Sequence, residues 1–371
     1  MTPRFSLTCI AGLLVAALGA VEIAGAQRGP DCFGEPATIT GTNGGDDITG
    51  TPGDDVIVTF GGDDVVDGRG GADRICVGEG NDRVFGGEGN DRILGGAGND
   101  LLVGGPGDDD IASGRGSDFA VGDEFSPDAP AVGSGDDKVN GGSGDDIIVG
   151  DAFSMVSAIG SGDDDLSGGS GNDEAVGDAL VGTWRQDASG TGEVAIGRGN
   201  DEINGLPGSD LIVGDAAVHG PGSARCGGKD RLNGELNSNE GPDVSGLGLE
   251  LLVGDCYTTD GDAIGASTDS KINGGAGNDV LVGDNFAGGK ASGSGSDPNI
   301  LGAKGNDKVY ADHHPRAEDR VGGGRDHARG GKGDDYLEGG PARDKCSGGP
   351  GTDEFVRRGP QRCEVITGAH R

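Results

Sequence analysis

Aromatic side chains and positive charges are both scarce in this chain. Phe, Trp and Tyr make up 4% of the 371 residues, and 28 Lys and Arg stand against 64 Asp and Glu, which gives a formal net charge of −36. On composition alone, such a chain is typical of disorder. The charge excludes a surface that tracks phosphates, so neither nucleic acid nor anionic lipid is an expected partner. It favours a cationic partner, of which a metal ion is the simplest.

Long apolar runs are also rare, and the clearest one lies near the N-terminus. Arg4 precedes the run 9–21 (CIAGLLVAALGAV), and residues 24–26 (AGA) form a small-x-small cleavage site. The run is too short to span a membrane, and the pattern predicts a cleavable secretory signal peptide over residues 1–26. An anchor that stays uncleaved is the alternative. We expect an extracellular, secreted protein without membrane insertion.

The cysteine motifs of zinc ribbons and thioredoxins are missing, since no CxxC occurs. Cleavage after residue 26 leaves an even number of cysteines, which predicts disulfides in a secreted chain. Six cysteines allow fifteen pairings, and the sequence does not decide among them. We expect neighbours in sequence to pair: Cys32 with Cys76, Cys226 with Cys256, and Cys346 with Cys363.

A strict nine-residue repeat argues against disorder. From residue 41 to residue 121 the repeat runs without a shift, with Gly in the fourth place, Asp in the sixth and an apolar residue in the eighth. Disorder gives no reason to keep three positions fixed, so the period predicts a solenoid. The last three places predict a short strand with one inward side chain, and the Gly-rich first six predict a turn.

The turns contain the oxygen ligands that a hard cation binds. Glycine leaves backbone carbonyls unshielded, and the sixth-place Asp adds a carboxylate. Because Ca²⁺ takes six to eight oxygen ligands, one loop is too open, and we expect each ion between the loops of neighbouring coils. The candidate metal ligands are Asp46, Asp55, Asp64, Asp73, Asp82, Asp91, Asp100, Asp109, Asp118, Asp137, Asp146, Asp164, Asp173, Asp201, Asp210, Asp279, Asp335 and Asp353.

The stretch 86–103 (GGEGNDRILGGAGNDLLV) resembles two copies of the RTX, or haemolysin-type calcium-binding, repeat G-G-x-G-x-D-x-U-x. The resemblance covers most of residues 41–356. It implies an all-β, right-handed parallel β-roll in which two repeats form one coil. Multiple Ca²⁺ ions would line both edges, each between a loop and the one two repeats later. The first array would then hold about seven shared sites.

The chain departs from this family in two respects. Its N-terminus carries a cleavable signal, whereas family members commonly leave the cell through an uncleaved C-terminal one. The enzyme or toxin domain that usually accompanies the repeats has no counterpart of sufficient length here. Both departures argue against toxin or protease activity.

The repeat divides the chain into five predicted segments. These are the signal peptide (1–26), an N-terminal lead-in or cap (27–40), the uninterrupted array (41–121), repeats with insertions (122–312), and C-terminal repeats with a disulfide-capped tail (313–371). Most insertions should bulge outward as loops. They open with V-G-D, or in the last case Y-A-D, at Asp123, Asp151, Asp178, Asp215, Asp255, Asp284 and Asp312. The stretch 234–272 is degenerate, with Ser270 where Asp is expected.

The aromatic residues of the insertions leave two interpretations open. They either contact a cell-surface or glycan partner, or they pack against the edge of the roll, which is the ordinary role of scattered aromatics and the one we favour. They are Phe125, Phe153, Trp184, Tyr257 and Phe286.

Motifs for catalysis are missing as well. No H-E-x-x-H, G-x-S-x-G or P-loop pattern occurs, and the Asp-Asp pairs fall in the fifth and sixth places of loops. We expect the C-terminal histidines to lie in a solvated tail rather than on a transition metal. An enzyme built on the roll, such as a polysaccharide-modifying one, is the weakest hypothesis.

Two hypotheses therefore stand from the sequence. The first is a secreted, non-catalytic calcium-binding β-roll that folds on binding extracellular Ca²⁺. The alternative is an adhesion or surface-interaction protein in which the roll is a calcium-stiffened spacer and the insertions make the contacts.

Overall fold

The computed structural model describes residues 30–367, apart from 183–193, 207, 220–221, 235–250, 261, 266–268, 270, 294, 298, 314–318, 323, 341–342 and 357–362. The predicted signal peptide, Trp184, Ser270, His314 and His370 lie outside the described residues. Within the described part no helix occurs, and none is long and apolar enough to cross a membrane.

Two long parallel sheets form the body of the molecule, and successive repeats contribute strands to them in turn. Leu101 pairs with Arg83 on one side and with Phe119 on the other, each 18 residues away. Two nonapeptides therefore make one coil, as the resemblance implies. The all-β, parallel β-roll expected from the sequence is confirmed.

The first sheet contains the strands Ile39–Thr40, Val56–Val58, Arg74–Glu79, Arg92–Ala97, Asp110–Arg115, Lys138–Ser143, Asp165–Ser170, Glu202–Asn204, Arg231–Asn233, Lys271–Ala276, Ile300–Lys304, His327–Lys332, Asp344–Ser347 and Cys363–Thr367. The second sheet contains Asp47–Thr49, Val65–Asp67, Arg83–Phe85, Leu101–Val103, Phe119–Val121, Ile147–Val149, Glu174–Val176, Leu211–Val213, Leu251–Val253, Val280–Val282, Lys308–Tyr310, Tyr336–Glu338 and Glu354–Phe355.

The core of the roll is a single line of apolar side chains from each sheet. The eighth-place residues point inward, and Ile75, Val84, Ile93 and Leu102 are fully buried between the sheets. Burial of such a side chain contributes about 1.5–3 kcal/mol. Nine ordered residues lose more backbone entropy than that, so the core alone is a weak source of stability.

The insertions form strands rather than the loops expected from the sequence. Within the described residues, the first five interrupted coils add two short strands each and the last two add one each, and these strands stack from coil to coil into two further parallel sheets beside the roll. The third sheet contains Glu124–Ser126, Ala152–Ser154, Ala179–Val181, Ala216–Val218 and Cys256–Thr258. The fourth contains Ala131–Val132, Ser157–Ile159, Val194–Ile196, Ser223–Cys226, Asp262–Gly265, Lys290–Gly293 and Asp319–Gly322. We call these two sheets together the insertion lobe.

Aromatic residues of the insertions pack against the outer face of the second sheet. The ring centroids of Phe125 and Phe153 lie 5.2 Å apart in a stacked pair, and that of Phe119 lies 4.9 Å from Phe153. Tyr257 and Phe286 form a similar contact at 5.1 Å. For these insertion residues the structure supports the packing interpretation.

The three disulfides pair as expected. Cys32 lies in an antiparallel hairpin, Asp31–Cys32 with Glu35–Pro36, and its bond to Cys76 fastens that hairpin over the outer face of the first sheet. The other two bonds lie inside the insertion lobe and in the core at the C-terminal end of the roll: Cys226–Cys256 and Cys346–Cys363.

The stacking of the turns requires glycine at the fourth place. Gly89 has φ +128°, a conformation that residues with a side chain rarely adopt. A Cβ at this position would overlap the carbonyl oxygen of Gly71 in the preceding coil. The loops thus approach each other too closely for any side chain.

Replacing this glycine should destabilise the roll. We expect Gly89→Ala to lower the free energy of unfolding by at least about 1–3 kcal/mol, because it combines backbone strain with steric overlap. Urea unfolding at saturating calcium measures this. The neighbouring exposed substitution Glu88→Ala is the control and should change stability by no more than about 0.5 kcal/mol. Equal effects of the two substitutions would contradict the prediction.

Candidate metal centre

The structure gathers the predicted ligands into two rows, one along each edge of the roll. One row precedes the strands of the second sheet: Asp46, Asp64, Asp82, Asp100, Asp118, Asp146, Asp173, Asp210, Asp279, Asp335 and Asp353. The other precedes the strands of the first sheet: Asp55, Asp73, Asp91, Asp109, Asp137, Asp164 and Asp201. All are buried except Asp46 and Asp353, which lie near the ends of the roll and are partly exposed.

One oxygen of each inner carboxylate ties neighbouring coils together. The N–H of Asp73 donates to Oδ1 of Asp91 at 2.7 Å, and the N–H of Asp91 donates to Oδ1 of Asp109 at 2.7 Å. The same bond continues past the insertions, from Asp109 to Asp137 at 2.7 Å and from Asp164 to Asp201 at 2.9 Å. In the first array it links every aspartate to the one two repeats later.

The second oxygen of these carboxylates is buried without a hydrogen-bond donor. This holds for Oδ2 of Asp64, Asp73, Asp82, Asp91, Asp100, Asp109, Asp118, Asp137, Asp146, Asp164, Asp173, Asp201 and Asp335. An ionised carboxylate oxygen left unpaired in the interior is costly, and a repeated row of them requires compensation. A cation beside each Oδ2 would supply that compensation.

The space and the neighbouring atoms fit a hard cation. A Cβ at Gly86 would overlap Oδ2 of Asp91, so the first glycine of the loop leaves the space beside this oxygen free. The glycine-rich loops add backbone carbonyl oxygens, and the resulting set of oxygen donors is the one Ca²⁺ prefers. The residues of the turns therefore suit Ca²⁺.

The fifth-place residues have a different role from the sixth. They are exposed, and their side chains accept from the backbone of the next coil: the N–H of Asn99 donates to Oδ1 of Asn81 (2.8 Å), and the N–H of Ser117 donates to Oδ1 of Asn99 (2.9 Å). Asp63 accepts in the same way from Asn81. The Asp-Asp pairs thus join a solvent-facing stacking residue to a buried carboxylate.

Burial raises the pKa of the sixth-place carboxyls. Desolvation is the main cause, and it raises the pKa of Asp73 and Asp91 to about 6 and that of Asp109 to about 8. The pKa of Asp137 rises to about 9, through burial and through the nearby charges of Asp123, Asp109 and Asp151. Ionised and close together, these groups repel one another unless a cation is bound.

Further aspartates occupy the same rows without having been predicted. Asp269, rather than Ser270, continues the row, since the N–H of Asp230 donates to its Oδ1 at 3.2 Å. Asp269 was missed because the repeat shifts by one residue in the degenerate stretch, so that Asp was expected at position 270. Other members were missed because their repeats lack the full glycine pattern: Asp230, Asp297, Asp307, Asp326 and Asp344. The V-G-D aspartates are also buried along one edge, and the recurring V-G-D motif was the sequence signal that marked them.

The expectation of a solvated tail is wrong for His313. Its side chain is buried, and Nδ1 lies 3.7 Å from Oδ2 of Asp284. His313 directly follows Asp312, the last aspartate of the V-G-D series, and both residues are buried. His327 is half-exposed on the first sheet.

The stacked acidic turns and the parallel roll together define a repeat protein whose buried carboxylates recur in every coil. The sequence model of the RTX calcium-binding nonapeptide repeat matches residues 40–75, 77–111, 85–120, 131–154, 160–179, 197–217, 259–288 and 321–355. These matches cover more than half of the chain, which therefore belongs to the RTX calcium-binding repeat family. A comparison with curated proteins gives no match.

The metal-free roll should lose stability as the pH rises. In the unfolded chain an Asp has a pKa of about 3.9, whereas these folded carboxyls hold their protons to about pH 6–9. The folded state binds more protons between these values, so its stability is highest below about pH 4 and declines as the pH rises from about 4 to about 9. Urea midpoints from pH 4 to 9 in calcium-free buffer measure this. Metal-free stability that rises with pH would contradict it.

Proposed function

We propose that this chain is a secreted calcium-binding β-roll, without catalytic activity, that folds when extracellular Ca²⁺ binds between its stacked loops. The observation that carries the proposal is the row of buried Oδ2 atoms without hydrogen-bond donors. Each is an ionisable group whose burial needs a positive charge nearby. The family of the repeat supports Ca²⁺ as that charge.

Calcium binding and folding are coupled in this proposal. Without cations, the net charge of −36 and the close carboxylates oppose compaction. Apolar burial in the narrow core is too small to offset this repulsion. An ion that binds only the folded loops adds its binding free energy to folding. Extracellular calcium modules bind at about 10⁻⁴–10⁻³ M, so the transition would occur outside the cell. Because neighbouring coils share ligands, it would be cooperative.

Two observations support secretion. The three disulfides are typical of an oxidising compartment. The apolar run and the small-x-small site of residues 1–26 predict a cleavable signal.

A calcium titration of residues 27–371 followed by circular dichroism tests the proposal. We expect a cooperative gain of β signal with Ca²⁺, half-complete at about 10⁻⁴–10⁻³ M, and no such gain with Mg²⁺, which demands a smaller, more regular site. Gly89→Ala should move the midpoint to higher Ca²⁺ concentration, while Glu88→Ala should not. Identical spectra with and without Ca²⁺ would refute calcium-dependent folding.

A second candidate function is adhesion through the insertion lobe, which one observation favours. The fourth sheet aligns Val132, Ile159 and Ile196 in register, and exposed Arg225 stands between Ile196 and Ile264 in the same row. Val132, Ile159 and Ile264 are 61%, 42% and 46% exposed. Exposed apolar side chains close together on one face of a parallel sheet are the kind of surface that contacts a partner. The roll would then hold this surface at a distance as a calcium-stiffened spacer.

Positive charges introduced into the row separate the two functions. We expect the double variant Ile159→Lys/Ile264→Lys to lose about tenfold or more of its retention on the producing cells, with an unchanged calcium transition. Leu94→Lys, at a site 39% exposed on the first sheet, is the control and should keep both properties. Equal retention of all three proteins would exclude adhesion through this row.

A further inference from the structure

The insertions leave and rejoin the roll at narrow necks. In an uninterrupted coil the chain passes from the second sheet to the first through residues 104–109 (GGPGDD). In the first interrupted coil it leaves at residues 122–123 and returns through 133–137 (GSGDD). The N–H of Gly135 donates to Oδ1 of Asp151 in the next coil at 3.1 Å. The V-G-D aspartates thus lie between the two ends of each insertion.

Three successive necks each bring three carboxylates together. Within each cluster, one oxygen from every carboxylate lies within 4.8 Å of the others, and all members are buried. Each cluster joins one repeat aspartate to the V-G-D aspartates of two successive coils. The clusters are Asp123 with Asp137 and Asp151, Asp151 with Asp164 and Asp178, and Asp178 with Asp201 and Asp215.

The V-G-D carboxylates point an unpaired oxygen into these clusters. Asp151 and Asp178 are 0% exposed, and their Oδ1 atoms accept from the N–H groups of Gly135 and Gly162. Their Oδ2 atoms have no hydrogen-bond donor. A fully buried carboxylate with a free oxygen, beside two others, is unfavourable without a positive charge.

We propose that each of these three necks holds a Ca²⁺ ion bound by three carboxylates, and that successive ions share Asp151 and Asp178 as bridging ligands. These neck sites differ from the loop sites of the uninterrupted array, where Gly105 stands in place of the V-G-D aspartate. The inference rests on the proposed function, since it takes Ca²⁺ as the ion that the chain binds. It adds that the chain contains two classes of site.

Charge and ligand type favour Ca²⁺ at the necks. The three clusters contain seven carboxylates, and three divalent ions neutralise all but one of the negative charges. The donors are all oxygens, which excludes a preference for zinc or copper. Mg²⁺ dehydrates reluctantly and keeps several waters, which a fully buried cluster does not favour.

The extra carboxylates should make the neck sites tighter than the loop sites. Calcium affinity increases with the number of charged ligands and with the rigidity of the site. The necks are held by the backbone bonds of the four sheets around them. They should therefore keep their ions at calcium concentrations at which the loop sites are empty.

Calcium counting on matched variants tests the neck sites. The full chain after residue 26 is equilibrated with ⁴⁵Ca²⁺ from about 10⁻⁶ to 10⁻² M, and bound ions are counted by equilibrium dialysis. The neck variant is Asp151→Asn/Asp178→Asn. The control is Asp73→Asn/Asp91→Asn, which alters two buried aspartates one coil apart in the uninterrupted array. Asp123→Asn is a milder neck variant, since Asp123 contributes to one cluster only.

A fourth buried cluster of three carboxylates, Asp312 with Asp326 and Asp344, lies nearer the C-terminus, so we expect the wild type to show a tight class of about four ions, at least about tenfold tighter than the rest. The neck double variant should lose three ions of this class, Asp123→Asn should lose one, and the control should keep all of them while losing weaker sites. Circular dichroism at saturating Ca²⁺ verifies folding of each variant. A wild type with calcium sites of one class only, or a tight class that keeps all its ions in Asp123→Asn and in the double variant, overturns the inference and leaves the proposed function standing. A wild type that binds no Ca²⁺ overturns both.

Discussion

The roll depends on carboxylates whose two oxygens have different partners. Oδ1 accepts the N–H of an aspartate one coil earlier, as in the pair Asp73 and Asp91, and this bond joins neighbouring coils. Oδ2 lies buried beside a glycine with no donor of its own. The side chain that aligns the coils therefore also carries the buried oxygen for which we propose a cation. In the proposed calcium-bound roll, structure and ion binding cannot be separated, because the same carboxylate supplies both.

The narrow core leaves the roll with little apolar burial to stabilise it. A roll with one inward side chain per strand cannot grow a thicker interior, whatever its length, so each coil adds little apolar burial. The insertion lobe also buries little apolar area, because its core is made largely of alanine, such as Ala152, Ala179 and Ala216. Disulfides and a packed aromatic row, Phe119 with Phe125 and Phe153, add local support. Charge neutralisation is the contribution that scales with the number of coils.

Much of this architecture could be predicted because the repeat leaves few choices. A fixed period of nine places Gly, Asp and an apolar residue at the same point of every coil, so the sheets, the core line and both rows of aspartates follow from it. The third and fourth sheets could not be predicted, since strands such as Ala131–Val132 are too short and alanine-rich to carry a period. The burial of His313 and the slip from Ser270 to Asp269 depend on contacts between coils, which a local pattern does not record.

The bond between successive sixth-place aspartates takes no account of the length of chain between them. It joins residues 18 apart in Asp91 and Asp109, 27 apart in Asp137 and Asp164, and 37 apart in Asp164 and Asp201. Segment length is thus a free variable in the segments that leave the roll beyond the necks, whereas one added residue within a strand would turn every following side chain to the wrong face. Insertions and deletions should accumulate in these outer segments during evolution. The same segments are where a foreign peptide could be grafted and displayed at regular intervals along a rigid axis.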